Sequence, residues 1–443
     1  MTPAAHRRWL ATALNVDDRE LGGLAAAFGM LFFMFSSYAL MRPVRETMGI
    51  TGGFENIPYL FWGTFFVMLA VQPVYGWLTS RFRRTQFLPW VYLFFVLNIF
   101  AFYLWFNAQE DHSWIARVYY VWLSVFNLFV VAVFWSLMAD IFTREQAGRM
   151  FGAIAAGASS GGLAGPLLAR LLVERIGTIN LLIVSMGLLL AALFFLRLLI
   201  SWHRRHGVND AAVPDVDSRL GGSALASFRQ VASSPYLLGI AVFVFLLTWV
   251  STFVYLEQQK FVAMTFATRD ARTAFFSSID AWVQGLSLFI QLFLYGRLQQ
   301  AFGFRALILS IPVLMTFGYV AIGLFPVFAV VVGVMIVRRV GEYAITRPCR
   351  DTLFTSVTRE EKYKAKSLID TFVYRGGDAT SGSVHKGLTA LGLGTSGIGW
   401  VGAAIAAVWA AVAFAIGRRH DSRHAADARS AAPALAARRE ASL

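Results

Sequence analysis

Long apolar runs, separated by short polar stretches, dominate the pattern of hydrophobic and polar positions in this chain. Each run is about 20 residues long, which is the helix length needed to cross a hydrocarbon core of about 30 Å. The pattern predicts an all-α membrane protein of about twelve transmembrane helices. The predicted spans are Leu21–Met41, Ile57–Thr79, Gln86–Phe106, Arg117–Ala139, Met150–Leu172, Thr178–Ile200, Tyr236–Glu257, Arg272–Tyr295, Phe304–Leu324, Val327–Thr346, Ser367–Leu391 and Ile398–Ile416.

The composition agrees with a membrane environment. Of the 443 residues, 57% are hydrophobic and only 14% are charged, which is outside the range usual for soluble domains. Residues 1–20 are polar and lack the apolar core of a signal peptide, so we expect the first helix to be retained. Cys349 is the single cysteine, which excludes an internal disulfide and a cysteine-based metal cluster.

The net charge of +14 is concentrated in the loops between the predicted helices. Most of the 39 Lys and Arg residues fall on one side of the helix alternation, and an excess of this kind is typical of cytoplasmic loops. The charge therefore predicts that both termini are cytoplasmic, and it requires no nucleic-acid partner. We expect a multi-pass protein of the bacterial inner membrane, surrounded by lipid.

Short motifs recur 215 residues apart, which indicates an internal repeat. They are Thr-Arg-Glu at 143 and 358, Gly-Gly at 161 and 376, and the cations Arg45 and Lys260. A longer motif, Tyr-Gly-x-Leu-x3-Phe, begins at Tyr75 and again at Tyr295. The spacing of this motif is five residues longer than that of the others. A difference of five residues between the loops that follow the first helix of each half would account for it.

Two related six-helix halves are the arrangement of the major facilitator superfamily, in which the substrate site lies near the membrane midplane between the halves. The repeat therefore predicts a major facilitator-type fold. The predicted segments are a first bundle at 1–200, a cytoplasmic linker at 201–234, a second bundle at 235–417 and a disordered cytoplasmic tail at 418–443.

Polar residues inside the predicted spans are candidate functional residues, because a charge there costs about 2.5 to 3.5 kcal/mol on insertion. Asp280 and Gln284 lie on one face of the eighth span with Ser287 and Gln291, at helical spacing. This stripe is predicted either to line a cavity or to form a hydrogen-bonded seam between helices.

The tenth and eleventh spans contain further charges. Arg338 and Glu342 are four residues apart and can pair within the helix. Arg339 then either contacts substrate or anchors the cytoplasmic end of the helix. The eleventh span is too polar to face lipid, and the sequence offers no partner for its histidine. Its candidate residues are Arg375 and Asp378, whereas an unpaired histidine such as His385 is more typical of a cavity or loop residue than of a proton carrier.

Cations near the outer ends of the first and seventh helices are also candidates. Arg42 and Arg45 follow the first span, and Lys260 follows the seventh, close to Glu257. Equivalent cations in both halves would raise the local concentration of anions. Alternatively, these side chains extend to the membrane interface as anchors.

The sequence contains no catalytic motif that we can identify. It has no P-loop, no pair of metal-binding histidines and no nucleophile elbow. We therefore expect a transporter and not an enzyme, with no cofactor. Transport would be secondary, and we expect a monomer that moves a small anionic solute.

Several motifs of the second half occur in a fixed order. They read Arg347-Pro348-Cys349-Arg350-Asp351, Lys362-Tyr363-Lys364-Ala365-Lys366, Ile369-Asp370 and Gly376-Gly377. The order resembles that of the ATP/ADP translocase family of plastids and intracellular bacteria. The first-helix run at 42–46 and the Phe134-Trp135 pair are similar to that family as well.

The resemblance implies functional roles for a first-helix cation, a seventh-helix glutamate and a late lysine. By position these residues are Arg45, Glu257 and either Lys364 or Lys366. The family's fourth-helix glutamate is absent, since Leu123 takes its place and Asn127 is the nearest polar residue. The chain therefore departs from the pattern that accompanies exchange of ATP for ADP.

The leading hypothesis is a secondary active transporter of an organic anion, such as a nucleotide or another phosphorylated metabolite, that works by alternating access. One alternative is a proton-coupled transporter of an unrelated solute, such as a drug, a peptide or a sugar. Another is a membrane scaffold or sensor that does not transport. For proton coupling, the candidate carboxylates are Glu257 and Asp280. Alternatively both are held in permanent ion pairs, Asp280 with an arginine that the sequence does not identify.

Overall fold

The computed structural model describes residues 16–17, 19–81, 84–206, 224–357, 365–366 and 368–440. Over these residues the chain is almost entirely helical and contains no strand. The first six helices are α1 (Leu21–Thr51), α2 (Ile57–Arg81), α3 (Arg84–Ala108), α4 (Ser113–Ile141), α5 (Arg144–Ile176) and α6 (Leu181–His206). The later helices are α7 (Ala224–Ser233), α8 (Pro235–Thr265), α9 (Arg269–Phe289), α10 (Tyr295–Leu324), α11 (Phe328–Gly341), α12 (Arg347–Leu353), α13 (Tyr374–Ala390) and α14 (Thr395–Glu440).

Helical structure lies at each of the twelve predicted spans. Within the described ranges, nine helical segments are long and apolar enough to cross a membrane. One of them, Arg269–Leu324, contains two predicted spans and is interrupted at Gly303, whose φ of 76° is not helical. The tenth and eleventh spans are not among the nine; they contain the charged residues Arg338, Arg339 and Glu342, and Asp370, Arg375 and Asp378.

Three short π-helical turns interrupt the helices of the second half. They are Ile290–Leu294, Glu342–Thr346 and Ile369–Val373. Turns of this kind occur frequently at functional sites, because the extra residue redirects neighbouring side chains. Two of the three contain charged candidate positions, Glu342 and Asp370.

Large apolar side chains lie on the outer surface of the helices. Trp90, Leu171 and Phe317 have exposed fractions of 71%, 69% and 68%. Exposed apolar surface of this extent is unfavourable in water but is compatible with lipid chains. These side chains mark the lipid-facing surface of a membrane protein.

The described residues divide into two compact units. The first comprises those of Met1–Pro214 and Val262–Gly285, and the second those of Asp215–Phe261 and Leu286–Leu443. Val262–Gly285, which the sequence assigns to the second bundle, therefore groups with the first unit by proximity. The predicted bundles are defined by the repeat and not by proximity, so their boundaries stay a prediction.

In the first unit, glycines allow α5 to pack directly against α1. Gly157, Gly161 and Gly165 are spaced four residues apart and lie on one face of α5. A β-carbon at Gly161 would lie 2.3 Å from the backbone oxygen of Phe32. Small residues at this spacing are typical of helix pairs in membranes, where close packing replaces the hydrophobic effect.

In the second unit, α14 packs against α10 in the same way. A β-carbon at Gly399 would lie 2.5 Å from the backbone nitrogen of Gly323, and one at Gly402 would overlap the ring of Tyr319. The helix continues to Glu440, and the alanine-rich composition of its last part favours a helix, since alanine has the highest helix propensity. The predicted tail at 418–443 stays a prediction.

Candidate substrate-binding and coupling residues

Arg45 of the first unit is held by aromatic and polar groups of α4. Its guanidinium carbon lies 4.5 Å from the centre of the Tyr120 ring, and its Nη1 donates to the Ser124 hydroxyl at 3.4 Å. Glu46 accepts from Nη2 at 3.1 Å. The Arg45 side chain remains 18% exposed. This geometry fixes a cation that is still within reach of a small anion.

The structure identifies Arg42 as the arginine partner of Asp280. Its carboxylate lies 3.8 Å from Nε of Arg42, and the aspartate side chain is only 3% exposed. Both residues belong to the first unit. The result agrees with the hypothesis that Asp280 is held in an ion pair.

Two further residues of the polar stripe lie at separate places. The Gln284 amide lies close to Gly162, where a β-carbon would be 2.8 Å from its nitrogen. Gln291 donates to the carbonyl oxygen of Tyr343 at 2.8 Å. The contact of Gln291 is of the kind expected in a hydrogen-bonded seam between helices, and the role of Gln284 stays a prediction.

Glu257 of the second unit is at the centre of a buried cluster built by α8, α13 and α14. Its Oε1 lies 2.9 Å from Nε2 of His385, and its Oε2 accepts from the Thr395 hydroxyl at 2.7 Å. Lys260 donates to the same hydroxyl at 3.1 Å, and its ammonium is 3.8 Å from the carboxylate. The Glu257 side chain is 3% exposed, so the carboxylate depends on these partners for solvation.

A second charged cluster of this unit links α11, the adjoining π-helical turn and α13. Arg338 donates to Glu342 at 2.6 Å, which confirms the predicted pair within the helix. Tyr374 donates to the other oxygen of Glu342 at 3.3 Å. Arg339 is buried beside this cluster, with an exposed fraction of 5%. A buried guanidinium does not fit the interpretation of Arg339 as an exposed interfacial anchor.

Arg375 and Asp378 lie on the face of α13 that approaches α8. The Arg375 guanidinium is 3.8 Å from Asp378, whose other oxygen accepts from Thr252 at 3.3 Å. Gly377 permits this approach, since a β-carbon there would lie 2.1 Å from the hydroxyl of Thr248. The absence of a side chain at Gly377 therefore lets α13 pack closely against α8.

The motifs that resemble the translocase family pair with one another. Lys366 donates to Asp351 at 2.8 Å, and Arg350 lies 3.4 Å from Asp370. These two ion pairs connect α12 to the segment that precedes α13. Lys364 lies outside the described residues. A structural role thus accounts for Lys366, and its substrate contact stays a prediction.

Sequence reasoning missed four residues that the tertiary structure adds to the candidate sites. They are Tyr120, Ser124, His385 and Thr395. The first two lie four residues apart on one face of α4, so their helical spacing was an available signal. The last two have no such signal, because their partner Glu257 is 128 and 138 residues away in the sequence.

Known proteins similar to this chain are transporters. The model of the Major Facilitator Superfamily matches residues 21–279. ADP,ATP carrier protein 2 of Chlamydia pneumoniae is 22% identical, over 92% of this chain and 90% of the carrier. ADP,ATP carrier protein 1 of Chlamydia trachomatis is 24% identical, over 84% of this chain and 83% of the carrier.

Solved structures give the same fold. The POT family transporter PepTSo superposes with a TM-score of 0.64 at 12% identity, covering 90% of this chain and 98% of that one. The nucleoside transporter NupG superposes with a TM-score of 0.55 at 15% identity, covering 90% of this chain and 99% of that one.

This chain belongs to the Major Facilitator Superfamily. It is a multi-pass membrane transporter and not an enzyme, and the predicted all-α major facilitator-type fold is confirmed. The predicted resemblance to ATP/ADP carriers is confirmed as well, by similarity over most of the chain.

Proposed function

We propose that this transporter moves an organic anion, and that its substrate class is a nucleotide or another phosphorylated metabolite. The observation that supports this most directly is the half-buried Arg45, whose guanidinium is oriented by Tyr120 and Ser124. A guanidinium binds phosphate oxygens through two parallel hydrogen bonds, and an aromatic ring beside it suits a planar base. The ADP,ATP carriers of Chlamydia support the same substrate class.

The charges of the second unit are compatible with an anionic substrate. The cluster on α11 and α13 contains Arg338 and Arg375, which are matched by Glu342 and Asp378. The buried Arg339 adds a third cation to this region. Lys260 is 29% exposed and is available for a further contact.

Coupling differs in this proposal from that of a strict nucleotide exchanger. Leu123 is fully buried in apolar surroundings at the position of the family's fourth-helix glutamate. The first unit therefore offers no carboxylate at that position. Substrate movement by alternating access, driven by an ion gradient, is the mechanism that we expect.

Uptake by proteoliposomes tests the substrate class. The purified transporter would be supplied with a panel of labelled nucleotides, sugar phosphates, neutral sugars and peptides. We expect saturable uptake of at least one phosphorylated compound, inhibited by excess of the same unlabelled compound. Uptake confined to neutral sugars or peptides would contradict the proposal.

We also propose that the transporter is a monomer in the bacterial inner membrane, with both termini cytoplasmic. The charge distribution predicts that a cysteine at Ser218 or Ser442 is protected in intact cells. Cys349 is the single cysteine, so a Cys349→Ser background gives a clean label. Labelling of either position by an impermeant reagent in intact cells would contradict this orientation.

A further inference from the structure

Glu257 and His385 bring two titratable groups into direct contact where little water is present. The carboxylate and the imidazole nitrogen are 2.9 Å apart, and the two side chains are 3% and 10% exposed. The His385 ring also packs against Phe253 in an edge-to-face arrangement, with the ring centres 5.3 Å apart. An imidazole usually changes charge between about pH 5 and pH 8. A proton that reaches His385 would be stabilised by the carboxylate.

Other charged and titratable groups surround this pair. Lys260 on α8 and the hydroxyl of Thr395 on α14 lie at the Glu257 carboxylate, and Tyr319 on α10 interacts with it electrostatically. Lys386 follows His385 on α13. Arg338 on α11 and Asp378 on α13 pair instead with Glu342 and Arg375. Histidine is the side-chain type in this set whose charge ordinarily changes near neutral pH. His385 is in direct hydrogen-bonding contact with the Glu257 carboxylate, and this geometry favours it as the group that receives the proton.

Protonation of His385 would change the balance of charge around Glu257, because the two oxygens of its carboxylate face different partners. In the structure Oε1 faces His385, while Oε2 faces Thr395 and Lys260. With a neutral imidazole, Glu257 and Lys260 balance each other. With an imidazolium, the cluster has one excess positive charge, and the partly exposed Lys260 is less strongly held. Binding of a proton and of an anion would then strengthen each other, and this coupling is reciprocal.

We infer that the Glu257–His385 pair is the proton-binding site of this transporter and couples proton entry to movement of the anionic substrate. The inference rests on the proposed anion transport and adds its coupling ion. Asp280 is less suited to this role, because its partner Arg42 stays charged throughout the physiological pH range.

Proteoliposome transport gives the first test, with radiolabelled ATP as the probe. Counterflow against internal unlabelled ATP measures exchange, and an inward proton gradient without internal nucleotide measures coupling. We expect His385→Asn to retain counterflow but to lose at least tenfold in gradient-driven accumulation. His206→Asn, the same substitution at an exposed position at the end of α6, should retain both.

Two outcomes of this test overturn the inference. One is a His385→Asn variant that accumulates ATP as the wild type does. The other is a wild type that exchanges ATP but ignores the proton gradient. Absence of wild-type counterflow with every phosphorylated compound would instead contradict the proposed function, and the substrate-free test below then decides the inference alone.

Nuclear magnetic resonance of histidine-labelled protein gives a test without substrate. The chain has seven histidines, so the His385 signal can be assigned by its loss in His385→Asn. We expect this signal to change with pH, and Glu257→Gln to alter that change because it removes the carboxylate beside the imidazole. A His385 signal that does not respond to pH, or a response that Glu257→Gln leaves unaltered, would overturn the inference.

Discussion

The charged clusters of the two units differ in whether their charges can change. In the first unit, the cations Arg42 and Arg45 are arginines, which stay protonated under physiological conditions. In the second unit, Glu257 contacts an imidazole, whose charge responds to pH. The extent of burial does not distinguish the carboxylates of Asp280 and Glu257, because each residue has an exposed fraction of 2%. The chemistry of the partner decides which of them can take part in coupling.

Repeat-equivalent positions in the two halves have different surroundings. Arg45 and Lys260 match in the repeat, yet Arg45 is fixed by Tyr120 and Ser124, whereas Lys260 shares its carboxylate with a histidine. We expect the first cluster to provide a constant positive charge for substrate. The second would provide a charge that varies during the transport cycle.

The largest expected effect follows removal of either matched cation. Arg45→Ala and Lys260→Ala should each reduce phosphorylated-substrate uptake about tenfold or more, because a charge-assisted contact contributes about 1.5 to 3 kcal/mol. Charge reversal should reduce uptake further. Initial rates in proteoliposomes at matched reconstitution provide the measurement.

Two control variants sharpen this prediction. Arg45→Lys keeps the charge and should retain more uptake than Arg45→Ala. Arg170→Ala removes a cation from a solvent-exposed ion pair with Glu174 and should transport normally. Normal uptake by both Arg45→Ala and Lys260→Ala would show that these residues are interfacial anchors.

An intermediate effect is expected on stability at the Arg42–Asp280 pair. Arg42→Gln and Asp280→Asn should each lower the melting temperature of the detergent-purified protein, because each leaves one charge of a buried pair without its partner. The double variant should be more stable than the sum of the two losses predicts, by about 0.5 to 3 kcal/mol. Simple additivity would mean that the two side chains do not interact.

The smallest expected effect concerns the hydroxyl that Glu257 and Lys260 share. Thr395→Val keeps the shape of the side chain but removes the hydrogen bond to Oε2 of Glu257. A neutral donor of this kind contributes about 0.5 to 1.5 kcal/mol, so the proton dependence of uptake should shift tenfold or less. Thr389→Val removes a hydroxyl that bonds only to backbone in α13 and is the matched control. An identical shift in both variants would exclude a specific role for Thr395.

Local sequence features predicted the helices and the short-range pairs. The pattern along the chain located helical structure at the twelve spans, and the four-residue spacing of Arg338 and Glu342 predicted an ion pair that the structure contains. Both features lie within a single helical segment. The rise and the period of a helix then fix the outcome without knowledge of the rest of the chain.

Pairing between distant helices could not be predicted in this way. Asp280 required an arginine, and several were available, but only the packing of α9 in the first unit selects Arg42. The same difficulty applied to the motifs that resemble the ATP/ADP translocase family. Their similarity to a nucleotide carrier favoured substrate contact for Lys366, but it did not predict the ion pair with Asp351 that the structure contains.

The sequence by itself determined that the protein lies in a membrane, how many helical spans it has and which residue types are available for function. A run of about 20 apolar residues is unstable in water wherever it occurs, so hydropathy determines this part of the architecture. Only the tertiary structure decided the partners, because a contact between helices depends on which faces meet and where small residues let them approach. Gly377 lets α13 reach α8, and on these helices His385 meets Glu257, 128 residues away in the sequence.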